Sequence, residues 1–249
     1  MQVLKSRDDS TRMSANKEFL DRLENALGAE DALLYPFDSL PNIGRLSPPD
    51  KSFRIFCWNV PVEDGTYFYY CLIQCYDKKK KKMKVLRLVD NTVEEKTPTE
   101  NKVLRKDKWF GELYYEMIPV KNKKKIVYTL LGWRGCNRMI TQKVIDVLSF
   151  SGNWEPQFGA PVFKIEPGGK RRIVFNYSAQ SAMSLKYHDS QKQVIFDHLS
   201  PSSPNLKEQY QYYGPDFTYD AFILEKGKWN YKSNVDARNA SDSPVYNPE

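Results

Sequence analysis

The sequence predicts a mainly β protein, with antiparallel hairpins forming a sandwich, a barrel or a small propeller-like core, and with a short N-terminal helix. Aromatic residues make up 14% of the chain and lie in short runs beside Val and Ile, a composition typical of half-buried strands. Clusters of turn-forming residues separate these runs at short intervals. With 249 residues and 41% hydrophobic content, a single domain over residues 14–233 is expected.

The helix is predicted at the N-terminus, where apolar residues recur at helical spacing. Leu20, Leu23 and Leu27 lie on one face, and Gly28 follows as a stop signal. We therefore expect a helix from about Ala15 to Leu27 whose apolar stripe covers one end or face of the β core. Residues 1–13 are polar and unpatterned and are expected to be mobile, and residues 234–249 are expected to form a polar strap or a disordered tail.

The rest of the chain predicts about a dozen strands, with a long charged loop over residues 91–108. The predicted strands are 53–58, 66–76, 83–90, 111–119, 126–133, 143–150, 162–165, 171–177, 183–187, 194–198, 219–224 and 228–231.

Composition also limits the class of protein and the chemistry of its cysteines. No apolar stretch approaches the ~20 residues of a membrane-spanning helix, and residues 1–15 lack the apolar core of a secretory signal, so the chain as given is expected to be soluble.

Cys71 and Cys75 would lie roughly 13 Å apart along one strand, too far to bridge. Together with Cys57 and Cys136 they are expected to be free, buried thiols. No CxxC pair is present, so no metal site is predicted.

Several segments resemble an uncharacterised family of exported bacterial β-rich proteins. They are residues 47–74 (SPPDKSFRIFCWNVPVEDGTYFYYCLIQ), 128–150 (YTLLGWRGCNRMITQKVIDVLSF), 158–163 (FGAPVF), 195–201 (IFDHLSP) and 213–222 (YGPDFTYDAF). The resemblance spans about residues 46–230. It implies a periplasmic or extracellular location, with a signal peptide absent from the chain as given, and it brings no assigned activity or catalytic residue. From the residues alone, a cytoplasmic location stays open.

The two histidines lie in a predicted hairpin over residues 183–198. Placing Tyr187 opposite Val194 puts His188 opposite Gln193 and sets the two imidazoles on opposite faces, about 17 Å apart. They are therefore not expected to share a metal. His198 is expected either to be a hydrogen-bonded histidine at the core edge or to belong to a site.

An acidic set beside His198 supports the hypothesis of a hydrolase or a metal-dependent enzyme. Asp216 and Asp220 alternate onto one side of a strand after the Gly214–Pro215 turn, and with Asp197 they could converge on His198. No cofactor is predicted, although a calcium site at these carboxylates is an alternative. Local hydrogen bonding by turn-forming Asp would explain the same pattern.

Two lysine-rich turns account for the net charge of +7 and predict a basic end of the molecule. They contain Lys78, Lys79, Lys80, Lys81 and Lys82, and Lys121, Lys123, Lys124 and Lys125. If consecutive strands run up and down, both turns fall at the same end. Such an end could attract phosphates of nucleic acid, of lipopolysaccharide or of membrane headgroups. Alternatively, the lysines only keep strand edges unpaired.

Three functional hypotheses follow from these patterns. The first is a non-catalytic, exported protein that binds or scaffolds, with a polyanion or a cell-envelope component as partner. The second is an enzyme that uses Asp197, His198, Asp216 and Asp220. The third is a polyanion or nucleic-acid binder that uses the lysine turns, although no nucleic-acid fold motif supports nucleic acid as the partner. The GxSxG, HExxH, P-loop and GxGxxG motifs are absent.

Overall fold

The computed structural model describes residues 8–40, 42–91, 99–123, 125–166 and 168–237. It contains one α-helix and three largely antiparallel sheets, which confirms the predicted mainly β fold. Residues 1–7 and 238–249, which belong to the predicted mobile N-terminus and C-terminal tail, lie outside the described residues, as does Lys124.

The helix, α1, spans Asp9–Leu27 and begins six residues before the predicted start. Asp8 caps it, because its carboxylate accepts a hydrogen bond from the Thr11 N–H at 2.8 Å. The expectation that residues 9–13 are mobile is therefore wrong. The predicted apolar stripe is buried against the first sheet, where Trp58 and Phe56 belong to the same core cluster.

Within the described residues, fifteen strands follow in chain order. They are β1 Gly44–Leu46, β2 Phe53–Pro61, β3 Tyr67–Asp77, β4 Lys82–Val89, β5 Leu104–Arg105, β6 Leu113–Asn122, β7 Lys125–Gly135, β8 Ile140–Ser151, β9 Glu155–Phe158, β10 Phe163–Lys164, β11 Ile173–Ser178, β12 Leu185–His188, β13 Gln193–Pro201, β14 Tyr213–Glu225 and β15 Lys228–Lys232. Short 3-10 helices lie at Thr99–Asn101, Lys106–Lys108, Gly152–Trp154, Pro204–Leu206 and Tyr210–Tyr212. The sequence did not predict β1, β5 and β9, which are too short to show an alternating pattern.

The three sheets stack in layers. The first has the strand order β1-β2-β3-β4, the second β5-β9-β8-β7-β6 with β11 paired to β8, and the third β10-β15-β14-β13-β12. The second sheet lies in the middle, because alternate residues of β7 enter different cores. Tyr128 and Leu130 pack with the first sheet, whereas Val127 and Leu131 pack with the third. This stack corresponds to the sandwich among the predicted architectures.

The histidine-bearing hairpin has the predicted register. Tyr187 pairs with Val194 and His188 with Gln193 across β12 and β13. Its apolar face, which includes Leu185 and Phe196, is buried against the second sheet. In the part of the chain that the structure describes, no helix has both the length and the apolar composition needed to cross a membrane.

Candidate functional site

The two predicted lysine turns lie at the same end of the molecule. The Trp154 indole N–H donates a hydrogen bond of 3.1 Å to the Tyr76 carbonyl, close to the turn between β3 and β4. Trp154 follows the end of β8, and β8 runs antiparallel to β7 with Tyr128 opposite Leu148. The end of β8 is therefore beside the start of β7, where the second lysine turn lies.

Three more lysine-bearing turns reach this end. The Leu224 N–H donates a 2.9 Å hydrogen bond to the Lys192 carbonyl, in the turn between β12 and β13. A Cβ added at Gly227, in the turn that contains Lys226, would lie 2.5 Å from the Lys121 carbonyl oxygen. Lys51 precedes β2, whose first residue pairs with Cys75 near the end of β3. We call this end the basic pole. Its exposed lysines are Lys51, Lys78, Lys79, Lys80, Lys81, Lys82, Lys121, Lys123, Lys125, Lys192 and Lys226.

Five lysines of the basic pole have a left-handed backbone. The φ angles are 51° at Lys51, 51° at Lys81, 56° at Lys123, 50° at Lys192 and 48° at Lys226, and these are all the lysines with positive φ within the described ranges. A residue with a Cβ loses about 1–2 kcal/mol in this conformation, so turns usually place Gly or Asn there. Turn chemistry therefore does not account for lysine at these five positions.

Carboxylates near the basic pole do not neutralise its lysines. Asp77 accepts hydrogen bonds from the backbone N–H groups of Lys79 and Lys80, and the hydrogen bond from Lys80 is the largest cause that lowers the pKa of Asp77. Glu155 forms ion pairs with Lys84 at 3.1 Å and with Lys106 at 3.7 Å, neither of which belongs to the pole. Among residues whose side chains are described, no ammonium of the pole forms an ion pair. Its charge faces solvent.

The second candidate site surrounds His198 and depends on a bulge in β14. Asp197 pairs with Tyr219 and Leu199 with Pro215, so three residues of β14 stand opposite His198 alone. Within this bulge, Phe217 has a φ of 71° and is 93% exposed. The Asp216 carboxylate accepts hydrogen bonds from the Thr218 N–H at 3.1 Å and hydroxyl at 2.7 Å. The bulge turns Asp216 toward the imidazole.

His198 is oriented by a buried carboxylate. Its Nδ1 lies 2.8 Å from Oδ2 of Asp220, which is 4% exposed. Asp220 also accepts hydrogen bonds from the Tyr231 hydroxyl at 2.8 Å and from the Asn234 N–H at 3.0 Å. A carboxylate at Nδ1 favours the tautomer with the proton on Nδ1, which leaves Nε2 free to accept a proton. The His198 side chain is 44% exposed, and Nε2 lies 4.0 Å from Oδ2 of Asp216. This arrangement suits a general base.

An open cavity adjoins this network through Tyr231. It has a volume of about 760 Å³ and is also lined by Phe163, Lys164, Ile165, Glu166 and Gly168. A substrate in this cavity would contact Tyr231. The Tyr231 hydroxyl donates a hydrogen bond to the Asp220 carboxylate, which also contacts Nδ1 of His198.

The structure brings together three of the four residues predicted for the enzymatic cluster. Asp197 is the exception, because its Oδ2 accepts a 2.7 Å hydrogen bond from the Ser184 N–H on β12. Consecutive strand residues point to opposite faces, so Asp197 and His198 diverge. The expectation that Asp197 converges with the others is wrong. Among the described residues, no three His, Cys, Asp or Glu side chains are arranged to hold a metal ion.

A buried charged cluster between the first and second sheets was not predicted. Arg172 Nη2 lies 2.8 Å from Oδ2 of Asp146, and both side chains are fully buried. Glu112 is also fully buried, and desolvation followed by the charge of Asp146 raises its pKa well above the usual range. The sequence carried one signal for this cluster, since Asp146 stands alone within the apolar run Val144–Leu148.

Comparisons with known proteins give no relative from which a function could be transferred. No family model matches the chain, and neither a curated protein nor a solved structure matches it. The resemblance to exported bacterial proteins therefore stays a prediction.

Proposed function

We propose that this protein is a non-catalytic, exported binding protein that attaches to anionic lipid headgroups through the basic pole. The observation that carries the proposal is the set of five left-handed lysines at one end of the molecule. A position that favours Gly or Asn but holds Lys is most simply explained by a need for charge, and five such positions converge.

A flat anionic surface suits the basic pole better than a groove-bound ligand does. The lysines lie in or beside turns that come from all three sheets, so their charge is spread across one end of the molecule. Lysine is a flexible point charge and does not impose the bidentate geometry that arginine brings to nucleic-acid recognition. Tyr76 and Ile126 adjoin the lysine turns and are 39% and 53% exposed, so they could enter the headgroup region. Five engaged lysines at about 1 kcal/mol each would raise binding by several thousandfold.

Co-sedimentation with lipid vesicles tests this proposal. We expect binding to vesicles that contain phosphatidylglycerol, no binding to phosphatidylcholine alone, and loss of binding as salt rises from about 0.05 to 0.5 M. The triple variant Lys80→Gln, Lys123→Gln, Lys226→Gln removes three charges from the pole. Its binding should fall about 100-fold, since each charge contributes about 1 kcal/mol.

A matched control carries the same charge change outside the basic pole. The side chains of Lys17, Lys186 and Lys207 are exposed, on α1, on β12 and after β13 respectively. Their triple Gln variant should bind vesicles far better than the pole variant does. Equal losses in the two variants would show that net charge alone drives binding. Binding to a DNA duplex without binding to anionic vesicles would contradict the lipid proposal.

The Asp220–His198 contact favours a second candidate function, a hydrolase with His198 as general base. In this function Nε2 takes a proton from a water molecule as its oxygen attacks an ester or phosphodiester, and Asp220 stabilises the imidazolium. The bond to the leaving oxygen then breaks, and the imidazolium returns the proton to that oxygen, so an alcohol and an acid are released. A panel of p-nitrophenyl esters and phosphodiesters tests it. Hydrolysis should be lost in His198→Ala and reduced in Asp220→Asn. Equal rates in the wild type and in His198→Ala would reject this candidate.

A further inference from the structure

Two cysteines face each other across the first hairpin of the first sheet. Cys57 on β2 and Cys71 on β3 are register partners, and their sulfur atoms lie 2.6 Å apart. Each residue is 1% exposed, in the core between the first and second sheets. All four cysteines are free thiols in the structure; Cys57, Cys71 and Cys75 are buried as expected, whereas Cys136 is half-buried and not buried as predicted. Cross-strand partners lie within the Cα separation that a disulfide requires, so no strand would have to move.

The other two cysteines are placed differently. The Cys75 thiol is directed to the Lys84 carbonyl oxygen at 3.7 Å, on the neighbouring strand β4. Cys136 lies after β7 and is half-buried. Cys57 therefore has one cysteine as its direct cross-strand partner, and the pairing is defined by the register.

We propose that Cys57 and Cys71 form a disulfide that closes the β2–β3 hairpin when the chain folds in an oxidising compartment. The oxidant is a low-molecular-weight disulfide. A thiolate of one cysteine attacks it to give a mixed disulfide and one free thiol. The second cysteine then displaces the remaining half, so two S–H bonds and one external S–S bond are exchanged for one protein S–S bond and two external thiols.

Burial determines when this exchange takes place. Desolvation raises the pKa of Cys71 well above the usual range, which makes its thiolate scarce in the folded protein. Exchange therefore takes place before the hairpin is packed against the second sheet. Once formed, the bond is shielded from reductants by the same packing.

Refolding in oxidised and reduced glutathione, followed by alkylation under denaturing conditions, tests the proposal. Two of the four cysteines of the wild type should be labelled. All three should be labelled in Cys57→Ala, and one of three in the control Cys75→Ala, which keeps the pair. Trypsin leaves residues 55–78 as one peptide because no Lys or Arg lies between, so a further cut after Glu63 is needed. The two halves should stay linked until they are reduced.

Stability provides a second readout. The bond would link two cysteines that are 14 positions apart in the chain, and its reduction should lower the Tm by roughly 6–12 °C. Cys75→Ala should retain this dependence on reductant, whereas Cys57→Ala should lose it. Labelling of all four wild-type cysteines, or linkage through Cys75 or Cys136, would overturn the proposal. The outcome is independent of vesicle binding.

Discussion

Replacing left-handed lysines of the basic pole should stabilise the protein and weaken its binding at the same time. The variant is Lys81→Gly, Lys192→Gly, Lys226→Asn. Lys226 and Gly227 have φ angles of 48° and 75° between paired Glu225 and Lys228, a two-residue turn in which Asn-Gly is the favoured sequence. Lys81 and Lys192 are the last residues of four-residue turns, where glycine adopts positive φ without steric cost.

The gain in stability follows from two opposing effects. Relief of the left-handed conformation contributes about 1–2 kcal/mol per site, and the greater freedom of glycine in the unfolded chain removes about 0.4–1 kcal/mol. The net gain is about 0.5–1 kcal/mol at each of the two glycine sites, and Lys226→Asn, which keeps a Cβ, adds a smaller gain, for about 2 kcal/mol in total. For a chain of this size that corresponds to a Tm increase of roughly 4–8 °C, measurable by calorimetry.

The same variant loses three charges, so its binding to anionic vesicles should fall about 100-fold. A control variant with Gln at Lys81, Lys192 and Lys226 keeps the Cβ atoms, and it should lose binding without gaining stability. If the Gly and Asn variant is no more stable than the wild type, the reasoning from backbone conformation is wrong. If it is stabilised and binds vesicles normally, the proposed function is wrong.

Three further predictions concern ionisable groups with shifted pKa values or with a buried charged partner. Because the folded-state pKa of Glu112 is raised above 4.5, the contribution of this group to stability is fully present below that pH and is lost as the pH rises toward the folded value. Glu112→Gln should therefore be more stable than the wild type in urea at neutral pH. A less stable variant would show that the carboxylate has a stabilising partner. Asp146→Asn removes the carboxylate that pairs with the buried Arg172 and leaves Glu112 as its acidic neighbour, so the variant should lose up to about 3–5 kcal/mol in the same assay. A loss below about 1 kcal/mol would refute this account. Desolvation, followed by the hydrogen bond to Asp220 and the charge of that carboxylate, raises the pKa of Tyr231 to about 12. In an ultraviolet titration of Asp220→Asn, Tyr231 should therefore ionise at lower pH than in the wild type. An unchanged titration curve would contradict the contact between Tyr231 and Asp220.

Local patterning predicted the hairpins because side chains alternate with a period of two. The pairing of Tyr187 with Val194 followed from the apolar face alone. The helix start was missed because the turns before Ala15 are largely exposed, so apolar periodicity could not reveal the cap at Asp8. The stacking of three sheets was also beyond prediction, since it depends on contacts between segments far apart in sequence, such as Trp229 with Thr129.

Residues of the candidate sites were predicted where they form runs or alternate along a strand, and they were missed where they are single residues far apart in sequence. Runs of lysine revealed two turns of the basic pole, but Lys51, Lys192 and Lys226 are single residues whose grouping appears only once the sheets are stacked. Alternation placed Asp216 and Asp220 on one side, and the β14 bulge that turns Asp216 toward His198 has no simple signature in the sequence.

The two candidate sites lie at different ends of β13, and this separation makes the proposed orientation on a membrane testable. His188 pairs with Gln193 beside the basic pole, whereas His198 is five positions further along β13, or about 17 Å. These are the two histidines of the chain. Anionic vesicles should therefore slow the reaction of His188 with diethyl pyrocarbonate and leave His198 as reactive as in the free protein. Protection of His198 instead would mean that the membrane contacts the opposite end, and the basic pole would lose its proposed role.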